Sequence, residues 1–159
     1  MRREHAVDVL AFGERAYAAN TLLPRAGVSW LGPTWVLEGA PDDHPWKREA
    51  DAGPPEVGTP TERPSNVVNL RDVEPETREG ETVGRSVRNL GVAAGSYKTG
   101  IRHYYVRPGK LLSPPHCHSA EEELFVVLDG EGTLELRPHV RAGGERETHP
   151  LRRGSVVAF

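Results

Sequence analysis

The chain has a single cysteine, Cys117, among its 159 residues. No intramolecular disulfide can form, and a reducing compartment is the natural setting. Long apolar runs are missing as well. None approaches the roughly 18–20 residues that a membrane-spanning helix needs. The opening Met1-Arg2-Arg3-Glu4-His5 is partly basic, but Asp8, Gly13, Glu14 and Arg15 interrupt the next stretch of chain. A secretory leader is therefore not expected, and the expected location is cytoplasmic. Charge of one sign is also lacking. Lys and Arg number 20 against 23 Asp and Glu, a formal charge of −3. Nucleic-acid and membrane-surface partners generally demand a basic excess or stripe, so neither is expected. Hydrophobic residues make up only 36%, which leaves part of the chain to loops.

Turn formers are abundant, with 17 glycines and 14 prolines. They leave little room for long helices and favour short strands joined by turns, an all-β class. The length fits one domain with an appended arm. Residues 1–64 read as that arm. A short helix is conceivable over Ala6–Ala19, weakened by Gly13. Short extended pieces come next, within 21–39. Trp30, Trp35 and Trp46 all fall in this first third. Packing against a core or a second subunit is the plain account of them; a stacking platform for an aromatic or sugar ligand is the sharper one. Pro41, Pro45, Pro54, Pro55, Pro60 and Pro64 crowd residues 40–64, which predicts a long surface loop without helix or central strand.

Residues 65–159 read as the main domain. Val67–Leu70 is a short strand or its beginning, and Val87–Ala94 and Ile101–Val106 are candidate strands. Leu124-Phe125-Val126-Val127-Leu128 is a continuous β-favouring run, and Thr133–Arg137 alternates polar and apolar residues. Asp129-Gly130 between them is a hairpin signal. Gly154–Phe159 opens a further strand.

The chemistry concentrates in Pro114-Pro115-His116-Cys117-His118-Ser119-Ala120-Glu121-Glu122-Glu123. Histidines two apart on a strand share a face, so both imidazoles can reach one ion. Cys117 points the other way and is not counted as a ligand. A carboxylate at the start of the apolar run can close over the same point. Glu123 fits best and Glu122 is the reserve. The candidate metal ligands are thus His116, His118 and Glu123. Imidazole with carboxylate suits a divalent transition metal: Fe, Mn, Zn, Ni or Cu. A His-x-His alone is weak evidence, because exposed strand histidines are common; the prolines before it and the glutamates, strand and turn after it strengthen it.

Gly109, His116-Cys117-His118, Glu123 and Gly130 together resemble the first conserved motif of the cupin superfamily. Four residues separate His118 from Glu123 and six separate Glu123 from Gly130, in register with that motif. The spacer from Gly109 to His116 is one residue longer than usual. The resemblance covers residues 83–159. It implies a double-stranded β-helix, or jelly-roll, barrel with the metal inside. Alternate residues Glu123, Phe125 and Val127 would face the interior, and Leu124, Val126 and Leu128 would face outward and need a cover. The N-terminal arm or a second subunit is the candidate cover, and a homodimer is implied. Gly154–Phe159 resembles the opening of the second cupin motif, which closes with a proline, a glycine and a third histidine ligand. The sequence stops at Phe159, before the positions of that proline and histidine. The chain reads as a piece of a longer cupin, incomplete at its C-terminus; the alternative is a natural short form with an open site. His149, His103 and His139 are poor substitutes for the third histidine.

Members of the family act on small organic molecules as oxygenases or isomerases, and others bind a ligand without turnover. The resemblance implies a small-molecule partner in either case. Catalytic residues are not assignable. Lys110, Arg102, Arg107 and Tyr105 are candidate anion contacts; the plainer account is solvated rim charge and a packed tyrosine. Residues 1–64 show no helix-turn-helix pattern, which counts against transcriptional control.

Overall fold

The computed structural model describes residues 9–13, 20–23, 25, 28–31, 45–138, 141 and 143–159. Nine strands and two short helices lie among them, so the β class stands. The chain divides into two compact units, one of residues 1–75 and 87–103, the other of residues 76–86 and 104–159.

In the first unit, β1 (Asn20–Leu23) pairs antiparallel with β2 (Val28–Leu31), Thr21 opposite Trp30. The Pro-rich segment does sustain a helix, α1 (Pro45–Asp51). Pro45 sits in its first turn, where the missing N–H costs nothing. The next proline comes only at Pro54. Lys47 and Asp51 pair one turn apart at 2.7 Å. Gly53, at φ +80°, ends the helix with its N–H on the Ala50 carbonyl. Arg25 ties the β1–β2 hairpin to this helix by donating to the Gly53 carbonyl, with Glu49 3.8 Å away. Residues 54–64 are irregular, as expected. The helix expected over 6–19 lies mostly outside the described residues; its described part, 9–13, has no regular structure.

Val67–Leu70 is not a strand. A 3-10 turn forms over Leu70–Asp72, because the Asn69 side chain accepts the Arg71 N–H at 2.9 Å. The strand expected over 87–94 is shifted as well. β4 (Gly84–Asn89) ends where the Asn89 side chain caps α2 (Leu90–Ala93) through the Val92 N–H. In both places an asparagine offers the backbone an alternative to a strand ladder. β3 (Glu76–Glu79), β4 and β5 (Arg102–Val106) form a sheet in that order.

The second unit contains the main departure from expectation. Asp129-Gly130 does not close a hairpin. β6 (Leu124–Val126) pairs with β9 (Val156–Ala158), and β7 (Glu131–Leu136) pairs with β8 (Glu147–Arg152), both antiparallel. A tight Asp-Gly hairpin of the expected type needs φ above zero at both central residues. Gly130 has φ +80°, but among the described residues no non-glycine residue has positive φ. The chain therefore turns a corner at Asp129-Gly130 without folding back. Val126 faces Val156 and Glu131 faces Arg152, leaving 127–130 on one arm and 153–155 on the other, one residue more on the first. The unequal arms interrupt the ladder between the two pairs, which form separate two-stranded sheets. The two short pairs follow one another along the same two arms, with Val127 bonded to both Ser155 and Gly154 between them.

β6 is shorter and more exposed than a buried core strand. Phe125 and Phe159 meet edge to face at 5.9 Å between ring centres, worth about 0.5–1.5 kcal/mol beyond buried area. The register puts Leu124, Val126, Val156 and Ala158 on one face, where Leu124 is 47% and Val156 60% exposed. Among the described residues the strands close no barrel, and no helix is long and apolar enough to cross a membrane.

Candidate metal centre

The loop of residues 112–123 leaves β5 and arrives at β6, and both of its ends are held. Leu111 exchanges backbone bonds with Thr82 and Gly84. Arg85 donates to the Leu112 carbonyl at 2.7 Å while its guanidinium lies 5.2 Å from the centre of the Tyr104 ring. At the far end Glu123 exchanges both backbone bonds with Phe159, at 3.0 and 3.3 Å. The Glu123 carboxylate is thus mounted at the start of β6.

His116 and His118 are not on a strand, contrary to the sequence expectation; the whole of 112–123 lacks regular structure. Pro114 and Pro115 lack the N–H a ladder requires. The convergence that strand alternation was expected to supply comes instead from the loop. His116, His118 and Glu123 place one donor atom each within 4.8 Å of one another. His118 Nε2 lies 3.6 Å from Glu123 Oε2, both side chains 36% exposed. The two imidazoles stand edge to face, 5.1 Å apart. Two ligands about 2.1 Å from one ion are at most about 4.2 Å apart. In a tetrahedral site such ligands are about 3.4 Å apart, so the donors must close by about an ångström or more to hold an ion.

Proton positions are set by the partners. His116 Nδ1 is 2.7 Å from the Pro114 carbonyl, an acceptor only. Nδ1 therefore carries the proton and Nε2 keeps its lone pair, the form a metal needs. Ser113 Oγ sits 3.4 Å from the same nitrogen. Neither the Pro114 carbonyl nor Glu121, 3.5 Å from His118 Nδ1, is singled out by the sequence. The His-x-x-Glu spacing is the available signal for Glu121. Glu122, the reserve ligand, is exposed and outside the group, as is Cys117.

The other candidates lie elsewhere. His149, on β8, pairs with Glu147 at 3.3 Å. His139 lies outside the described residues. Lys110 donates to the Gly80 and Glu81 carbonyls at 3.1 and 2.6 Å, and Arg107 pairs with Glu79. These two cations are engaged by the Glu79–Glu81 segment. Tyr105 is 57% exposed and so is not packed.

His103 is half-buried, with Nδ1 buried and unpartnered. Burial, and then the Arg88 charge, holds its imidazole below the ordinary value of 6.5. The folded chain therefore takes up this proton later than the unfolded chain does. The contribution to stability is complete above about pH 6.5 and declines as pH falls toward the folded value. His103→Gln is expected to flatten the acid side of the stability profile, read from urea midpoints between about pH 8 and pH 5. A profile unchanged by the substitution would contradict this.

Comparisons of the chain with protein-family models, with curated proteins and with solved structures return no match.

Proposed function

We propose that the chain is a cupin-type metal-binding domain in which His116, His118 and Glu123 hold one divalent transition metal. The observation that carries this is the meeting of three donor atoms, one from each residue, within 4.8 Å. The order glycine, His-x-His, glutamate, glycine supports the family assignment. So do the two successive antiparallel pairs, β6 with β9 and β7 with β8, separated by the turns at Gly130 and Gly154. The exposed apolar face of β6 and β9 supports a homodimer built on that side. A cytoplasmic setting is part of this reading, resting on the single cysteine, Cys117, of the sequence.

The bound ion would be Fe, Mn, Zn, Ni or Cu, serving as a Lewis acid or holding substrate and dioxygen together. The protein's own groups do the rest. His116, oriented by the Pro114 carbonyl, and Glu123, fixed by its bonds to Phe159, set two corners of the site. Three protein ligands leave positions open for a small organic molecule. Oxygenase or isomerase chemistry is the function this arrangement supports best. A non-catalytic small-molecule-binding module is the second reading, favoured by the exposure of both histidines.

Incubation with each metal, removal of excess and elemental analysis is expected to give about one ion per chain. Catechols, keto acids and sugar phosphates are then tested for turnover with Fe(II), Mn(II) and Zn(II). Metal-dependent turnover establishes the enzyme. Ligand binding without conversion selects the binding module. A chain that retains no metal overturns both.

A further inference from the structure

We infer that Glu121 is a positioning residue whose carboxylate accepts the Nδ1 proton of His118 and so presents Nε2 to the ion. The inference rests on the metal-binding reading of this site. His118 lies between two carboxylates, with Nδ1 3.5 Å from Glu121 and Nε2 3.6 Å from Glu123. The two edges of the ring are not equivalent. Glu123, the carboxylate of the candidate metal group, lies at the Nε2 edge, so the ion is assigned to that edge.

A ligating imidazole gives one lone pair, and its other nitrogen carries a proton that needs an acceptor. His116 has the Pro114 carbonyl at 2.7 Å for this purpose. On His118 the carboxylate at that edge is Glu121, three residues on. His118 lies in a loop with no ladder to fix its ring. Without Glu121 the ring can turn over and point its N–H at the ion. The 3.5 Å separation is longer than a hydrogen bond, and the Glu121 side chain is 71% exposed and able to close it. A cation on Nε2 polarises the Nδ1–H and strengthens that bond, so Glu121 acts most in the loaded state.

The test uses the whole chain with 15N-labelled histidine and Zn(II). In the unsubstituted protein, His118 is expected to show one signal set, coordinated at Nε2 and protonated at Nδ1. Glu121→Ala is expected to split this set between the two nitrogens and to weaken Zn(II) binding by about 10–100-fold. Glu121→Gln keeps an oxygen acceptor, so it should restore the single signal set and much of the affinity. Glu122→Ala should match the unsubstituted chain, and metal-free melting should be the same for all four proteins. Undiminished Zn(II) affinity with an unsplit His118 signal in Glu121→Ala overturns this assignment alone. Failure of the unsubstituted chain to take up Zn(II) overturns the metal-binding reading and this assignment with it.

Discussion

Alanine at both His116 and His118 is expected to abolish metal binding. Glu123 alone would remain of the three donors, and a single half-exposed carboxylate does not hold a transition metal against water. Loss of even an outer-sphere partner typically costs about 10–100-fold in affinity, so removal of two ligands should exceed that range. Calorimetric titration with Zn(II) measures it directly. The fold should survive, because both histidines are exposed and lie in a loop without ladder bonds. Single substitutions give a finer reading. His116→Ala also frees the Pro114 carbonyl to water, at little cost in an exposed loop. Metal content unchanged in the double variant would mean that the ion sits elsewhere. Acidification should release the metal from the unsubstituted protein, because a proton on Nε2 occupies the lone pair the ion needs.

The largest effect expected on stability is at the glycine turns between the two strand pairs. Gly130 and Gly154 have φ of +80° and +85°, and neither has a heavy atom within 4 Å of the site of an added Cβ. Space is therefore not what excludes a side chain there; backbone strain is. Left-handed backbone costs a non-glycine residue about 1–2 kcal/mol. Valine at both positions should cost about 2–4 kcal/mol. That is a large part of a typical stability of about 5–15 kcal/mol, and no side chain among the described residues is fully buried to offset it. Urea unfolding gives the loss. Zn(II) affinity should fall with it, since the pairing of β6 with β9 holds Glu123 against Phe159. Gly132 is the control. It lies in β7 with open space beside it and no positive φ, and should accept alanine without loss. Equal stability of the valine variant and the control would remove these turns as the frame of the site.

Local chemistry makes some elements readable. The β6 and β7 runs, the Arg102–Val106 strand and the strand within 154–159 come from β-favouring residues bounded by glycine and proline. The helix α1 stays hidden when proline is weighed by number and not by position. Pro45 is in the first turn and the residues after it through Ala52 are proline-free. β8 is hidden because Glu147-Thr148-His149-Pro150 carries no apolar alternation. It is a strand because β7 lies beside it, a partner that no local pattern announces.

The choice of His116, His118 and Glu123 comes from residue type and spacing, since imidazole and carboxylate chemistry is a property of the side chains wherever they lie. What brings them to one place is not the strand geometry expected of them. The two histidines sit on a proline-led loop, and the glutamate is held by a strand more than thirty residues further along the chain. Short-range preference governs which residues can ligate and where the backbone can turn. Long-range pairing governs which strands meet and which edge of an imidazole faces its partner, because those contacts join segments whose separation in sequence carries no local signal.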